Sequence, residues 1–292
     1  MGRTVILSPH LDDAVFSCWK LLTRDDGLVI TICAGSPSGR TRPAYYDRLS
    51  GSSSPRERLR ERREEDAAVL EAVGARYVHL DVLDAPYRRR RVAPLAIAQM
   101  VQELIPRDAH VVGPAAIGGH PDHLLVRQVA LAFQERSNMV SLFADLPYAS
   151  RYGWPSWVSG ERGSPYLDVD AYWERWLSTI PERNLLVPVV HVLASGEQRR
   201  KLEAMRMYRT QFPAIEEGPS RRLSHPRRIS FEVTWRFAAV PEGGSPSAVA
   251  SGARCVRLGR SSHTNHGCGT TGAGPEARPS ATSRTCPRSW WS

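Results

Sequence analysis

Short apolar, β-branched runs alternate with longer stretches of helical period through about the first 150 residues. That alternation predicts an α/β fold, a Rossmann-like, mostly parallel sheet with helices on both faces. The predicted strands are Thr4–Ser8, Leu28–Cys33, Tyr77–Leu80, His110–Gly113 and Ser141–Ala144. Between them, Arg56–Val73 carries Leu59, Ala67, Leu70 and Val73 on a charged background and stops at Gly74, where glycine commonly ends a helix. Val92–Leu104 and Leu124–Glu135 show the same period. Residues 150–186 break it, crowding Trp154, Trp157, Tyr166, Tyr172, Trp173 and Trp176 into weakly periodic sequence. This aromatic insertion reads either as a small subcore under a long loop or as a wall of a substrate pocket. Regular patterning resumes with a strand at Val187–Leu193, a helix at Gly196–Tyr208 and a final strand at Ile229–Ala238.

After Pro241 the composition changes to Gly, Ser, Thr, Pro, Arg and Ala, which cannot bury enough apolar surface to offset the entropy of ordering. The organisation expected is one domain over residues 1–242 and a low-complexity tail without regular structure over 243–292. Such a loss of pattern would also follow from a shifted reading frame. Cys255, His263, His266 and Cys268 in that tail match no common zinc-finger spacing. The tail also accounts for much of the formal charge of +9: it holds six Arg and one Glu, leaving 33 basic against 29 acidic residues in the body. A mildly basic body argues against a nucleic-acid partner. No stretch approaches the roughly 18 apolar residues of a membrane span. Arg3 is followed by only a short apolar run before the polar cluster Ser8 to Asp13, which does not resemble a secretory leader. A cytoplasmic address is therefore expected. Five scattered cysteines form no disulfide framework, and Cys18 and Cys33 read as buried free thiols.

Two polar clusters interrupt this background. Ser8-Pro9-His10-Leu11-Asp12-Asp13 follows the first strand, and Gly118-Gly119-His120-Pro121-Asp122-His123 follows the fourth. Both would emerge at the carboxyl edge of a parallel sheet, where such folds present ligands. Taken singly, Asp12 or Asp13 could cap a helix, and His120 and His123 could be exposed loop residues. Together they offer two imidazoles and a carboxylate, with another carboxylate and imidazole to spare, in a chain of only nine His. That combination points to a metal centre.

His10-Leu11-Asp12-Asp13-Ala14 and His120-Pro121-Asp122-His123 resemble the hallmark motifs of the LmbE-like or PIG-L family of zinc-dependent N-acetylglucosaminyl deacetylases. The resemblance continues through Arg62, Glu65, Ala68, Gly74 and Asp84 to Lys201 and the closing Tyr208-Arg209-Thr210-Gln211, about 240 residues in all. It implies His10, Asp13 and His123 as metal ligands, Asp12 as general base and His120 as the group that stabilises developing charge. Arg62 and Asp84 would contact substrate. Asp122 would either orient an imidazole or serve as a turn residue. The sequence departs from the family pattern at Leu11, where proline is usual, at Ala14, where glutamate is usual, and at Gly118, where relatives often have tyrosine. None of these removes a ligand.

The implied activity is Zn2+-dependent removal of an N-acetyl or other N-acyl group from a small amino sugar or glycoconjugate, in natural-product or thiol-cofactor metabolism. Two-His-one-carboxylate ligation also suits Fe2+, so ligand type alone does not fix the metal. An amidase of a thiol conjugate, or an inactive binding protein on the same fold, are the alternatives. Arg88 to Arg91 form a basic run that reads as a solvated loop or as a means of drawing in an acidic substrate. The oligomeric state is left open, a homo-oligomer included.

Overall fold

The computed structural model describes residues 3–24, 27–38, 41–49, 51–161, 165–217, 222–238 and 256–258. The chain divides into two units, residues 1–259 and 260–292. The second unit, the expected boundary at 242 and the tail residues Cys255, His263, His266 and Cys268 lie outside the described residues.

The first unit opens with β1 (Thr4–Ser8), the short helices α1 (Asp13–Ser17) and α2 (Trp19–Leu22), and β2 (Leu28–Thr31). Then come α3 (Tyr45–Leu49), α4 (Pro55–Ala72), β3 (Arg76–His79), α5 (Pro94–Val101), β4 (His110–Pro114), α6 (Pro121–Ala132) and β5 (Met139–Phe143). The aromatic segment contributes α7 (Ser156–Ser159) and α8 (Val169–Leu177), followed by β6 (Leu186–Val192), α9 (Ser195–Arg206), α10 (Phe212–Glu217), α11 (Pro226–Ile229), β7 (Phe231–Phe237) and β8 (Val256–Leu258).

Among the described residues the strands form one sheet in the order β3-β2-β1-β4-β5-β7-β6-β8. The five strands from β3 to β5 run parallel, and β7 is antiparallel to both β5 and β6. β1 is buried on both faces because alternate side chains serve different cores. Ile6 packs in a cluster with Phe16, Val69, Leu142 and Trp173, whereas Val5 and Leu7 join Ile30, Ile97, Val126 and Phe133 on the opposite side. Strand order reverses between β1 and β4, and the crevice at their carboxyl ends is where a ligand site is expected.

Local signals explain where several elements start. Ser54 caps α4, accepting from the Glu57 N–H at 3.3 Å, with Pro55 at the first helical position. α6 begins at Pro121, three residues earlier than its hydrophobic period suggests, with His120 as its cap. His123 is therefore a first-turn helix residue and not part of a loop. β7 starts later than the sequence pattern implies, since Pro226–Ile229 form a helical turn first.

The aromatic segment is more ordered than its sequence suggests. Val169, Trp173 and Leu177 share one face of α8 and are buried, and Asp168 caps the helix by accepting from the Ala171 N–H at 2.8 Å. Trp173 stacks near Trp154 and Trp235, with ring centroids 5.7 and 5.8 Å apart, and its indole N–H donates to the Ala149 carbonyl. These side chains belong to the same cluster as Ile6, Phe16 and Leu142, so the segment joins the main core and forms no separate subcore. Val256–Leu258, inside the tail for which composition predicts no regular structure, pairs in parallel with β6. Cys18 and Cys33 are buried free thiols. No helix among the described residues is long and apolar enough to cross a membrane.

Candidate active site

The loop Pro9–Asp12 leaves the end of β1, and the loop Ala115–His120 leaves the end of β4. Because β1 and β4 are hydrogen-bonded neighbours, with Ile6 opposite Val112, the two loops meet. The ring centroids of His10 and His123 lie 5.2 Å apart, and that of His120 lies 4.9 Å from His10 and 5.1 Å from His123.

Asp13 stands between two of these rings. Its Oδ2 is 3.1 Å from His10 Nδ1 and 3.2 Å from His123 Nε2, and it also accepts the backbone N–H of His10 at 2.9 Å. Each ring is held from behind by another carboxylate. His10 Nε2 lies 3.2 Å from Asp122 Oδ2 and 3.5 Å from Asp84 Oδ1. His123 Nδ1 lies 2.6 Å from Asp145 Oδ1. Ring nitrogens of His10, His120 and His123 fall within 4.8 Å of one another, as do a ring nitrogen of His10 and carboxylate oxygens of Asp84 and Asp122, so both sets have the spacing of metal-binding groups. His123 Nε2 is buried without a hydrogen-bond partner. Leaving such an atom orphaned is costly, and a cation between His10, Asp13 and His123 would satisfy it. Donors around a tetrahedral ion held at zinc distances stand about 3.3 Å apart, close to the spacings seen here.

Charge in the cluster is strongly perturbed. Burial, reinforced by Asp13, raises Asp12 to about 7 against the opposing pull of His10 and Arg62. For Asp13 burial acts upward but is overcome by His123 and His10, which hold it well below the usual carboxylate range. Burial likewise opposes charge on His123, yet Asp13 and Asp145 raise it to about 9. Burial disfavours a charged His10 too, and Asp84, Asp122 and Asp13 outweigh it. His120 goes the other way: burial and the neighbouring His10 and His123 push it down to about 2. It is neutral, with Nδ1 accepting the Asp122 backbone N–H at 3.2 Å, which leaves Nε2 to carry the proton. Such a ring can donate from Nε2 without carrying a charge.

Asp12 occupies the position before α1 but makes no capping hydrogen bond, so the helix-cap explanation of this residue does not hold. Arg62 reaches toward the site from α4, where its guanidinium pairs with Asp47 at 2.8 Å. Asp84 Oδ1 is buried without a hydrogen-bond partner. Asp122 is fully buried; it accepts the Ala85 N–H and is paired with Arg88 at 2.7 Å, so it is no mere turn residue. The basic run accordingly splits, Arg88 turning inward and Arg89 to Arg91 remaining exposed.

Two contacts escaped the sequence reading. Asp145 is a single acid just past a predicted strand end, and only that position could have flagged it. Gln211, from the Tyr208-Arg209-Thr210-Gln211 segment, donates its amide to the Leu11 carbonyl at 2.9 Å, bracing the backbone between His10 and Asp12. On the other side the aromatic segment packs against the His120 loop. Gly118 and Gly119 have φ of +97° and +73°, and a Cβ on Gly119 would lie 2.2 Å from the Trp176 ring. Only glycine fits there. A Cβ on Gly118 would lie 2.9 Å from the Tyr148 side chain, whose ring stands beside His120 and His123, 5.6 and 5.1 Å between centroids.

The family model for PIG-L, GlcNAc-PI de-N-acetylase, matches residues 5–134, a span containing both His/Asp motifs. A 2'-N-acetylparomamine deacetylase from Streptomyces fradiae is 32% identical over 253 residues, covering 78% of this chain and 79% of that protein. Among solved structures, the antimicrobial reagent A40926 pseudoaglycone deacetylase is 29% identical with a TM-score of 0.57, over 82% of this chain and 99% of that one. The zinc-inhibited form of teicoplanin deacetylase shares the fold at 23% identity, with a TM-score of 0.59 over 82% of this chain and 100% of that one. An α/β sheet with a polar crevice at its switch point, in such company, defines a hydrolase of the de-N-acetylase class. Within that class, the chain belongs to the PIG-L, or GlcNAc-PI de-N-acetylase, family.

Proposed function

We propose that this protein is a cytoplasmic, zinc-dependent hydrolase that removes an N-acetyl, or another N-acyl, group from an amino-sugar-type molecule of natural-product metabolism. The observation that carries the reading is the placement of Asp13 Oδ2 at 3.1 and 3.2 Å from His10 Nδ1 and His123 Nε2, with the latter nitrogen buried and unsatisfied. His10, Asp13 and His123 would hold the ion. When bound, Zn2+ supplies a Lewis acid and lowers the pKa of water beside it. The names of the relatives, a deacetylase of 2'-N-acetylparomamine and a deacetylase of the A40926 pseudoaglycone, support an acylated amino sugar as substrate.

Asp12 suits the base role because it adjoins the ligand Asp13 without being a ligand itself, and burial holds its carboxyl above the usual range in the metal-free site. It accepts a proton from the attacking water and delivers it to the departing amine. His120, neutral and protonated at Nε2, donates toward the acyl oxygen as negative charge collects there. Asp122 fixes the ring of His10 from behind. Asp84 has an acceptor to spare for a substrate hydroxyl or amine. Arg62, already engaged by Asp47, would contact substrate from the edge of the site.

The test is acetate release from a panel of N-acetylated amino sugars by the purified protein, before and after chelation, alongside Asp12→Asn and His123→Ala. Chelation and both substitutions are expected to abolish release. Undiminished turnover by Asp12→Asn would remove the base assignment, and undiminished turnover after exhaustive chelation would remove the metal.

A further inference from the structure

We infer that Asp145 is the positioning residue that dictates which nitrogen of His123 is offered to the metal. The inference rests on the reading of His123 as a ligand and adds to it a residue outside both motifs.

Asp145 lies two residues beyond β5 and is fully buried. Its two oxygens have different donors: Oδ1 accepts from His123 Nδ1 at 2.6 Å and Oδ2 accepts the backbone N–H of Ile117 at 3.0 Å. The Ile117 donor is a peptide group and can only donate. A carboxylate can only accept, so Nδ1 must keep a proton, and Nε2 is the nitrogen that can offer a lone pair once the ring gives up its second proton to a cation. Nε2 is the atom that stands 3.2 Å from Asp13 Oδ2 with no hydrogen bond of its own. His10 is arranged in reverse, with Nδ1 facing Asp13 and Nε2 facing Asp122. Each imidazole thus has a carboxylate behind it, and for His123 that carboxylate also anchors the loop leading to His120.

An amide cannot repeat this arrangement. If the oxygen of an Asn at 145 accepted the Ile117 N–H, its NH2 would donate to Nδ1. The ring proton would then move to Nε2 and block the lone pair. If the amide flipped, its NH2 would face the Ile117 N–H, donor against donor in a dry interior. Asp145→Asn therefore preserves shape while reversing the tautomer.

The experiment compares Zn2+ affinity of the stripped parent and stripped Asp145→Asn proteins, by competition with a chromophoric chelator, and records imidazole nitrogen spectra of the loaded parent. The substitution is expected to weaken Zn2+ binding by about 10- to 100-fold, with the melting temperature of the stripped protein little changed. The parent spectra are expected to show His123 protonated at Nδ1 and metal-bonded at Nε2. Equal affinities in the two proteins would overturn the inference while leaving the metal reading intact. Absence of Zn2+ binding by the parent would overturn both. If the variant does not fold, the spectra decide: a proton on Nδ1 upholds the assignment and a metal on Nδ1 refutes it.

Discussion

Two groups of buried charges stand in this molecule, and they are completed differently. Around Glu232, in β7, the fully buried Lys201 ammonium donates to Oε1 at 2.6 Å, and the backbone N–H groups of Trp19 and Lys20 donate to Oε1 and Oε2. Around Asp13, two acids sit side by side, three imidazoles crowd within about 5 Å, and one ring nitrogen has no partner. The first group satisfies itself and ties α9 and the start of α2 to the sheet. The second leaves valences open. A cluster that only holds the fold closes its hydrogen bonds internally, whereas one prepared for a ligand keeps some of them unmet, at a cost to stability.

Substitutions should separate the two groups. Asp12→Asn is expected to lower acetate release by about 10³- to 10⁴-fold, roughly 4 to 5 kcal/mol of barrier. Its melting temperature should stay level or rise, since removing one of two adjacent carboxylates relieves repulsion; a clear fall in calorimetry would erase the distinction. Lys201→Met should act in the opposite sense, costing about 3 kcal/mol of stability by leaving Glu232 uncompensated in the interior. Turnover per folded molecule should hold, and denaturant titration paired with activity checks both statements. His120→Ala should reduce turnover by about 10²-fold, roughly 2.7 kcal/mol, with KM nearly constant. A change confined to KM would move His120 from charge stabilisation to substrate contact.

The smallest effect concerns protons. In the stripped site His123 is raised to about 9 and Asp12 to about 7, so at pH 6 both hold protons that a cation must displace or repel. Metal affinity should therefore rise with pH between 6 and 8, about tenfold per unit for each proton released. Chelator competition at three pH values measures the slope, and a flat profile would mean that the protonation pattern is wrong.

Much of this was legible along the chain, for a physical reason. β1, β2, β4 and β5 are buried along most of their length, so each reads as a largely apolar run, and the polar groups at the ends of β1 and β4 stand out against that background. Contacts between elements were harder to see. Asp145 is one acid with no partner nearby in sequence, and its role depends on β4 and β5 lying side by side. The Lys201 and Glu232 pair joins a helix to a strand, and nothing local marks it. α8 was hidden because Tyr172 and Trp176 stand beside its buried Val169, Trp173 and Leu177, and these further aromatics blur a helical period. The start of α6 was marked by Pro121 directly after a residue able to cap, a signal that hydrophobic periodicity alone passes over.

Trp176 rests against Gly119, one peptide away from the ring of His120, yet it belongs to a helix that contributes no group to the reaction. The backbone leading to His120 is therefore placed partly by an indole standing behind it. Exchanging that residue for a smaller or differently shaped one would let the backbone settle elsewhere without touching any acid, base or ligand. A change there would alter the fit to a substrate while leaving the chemistry alone.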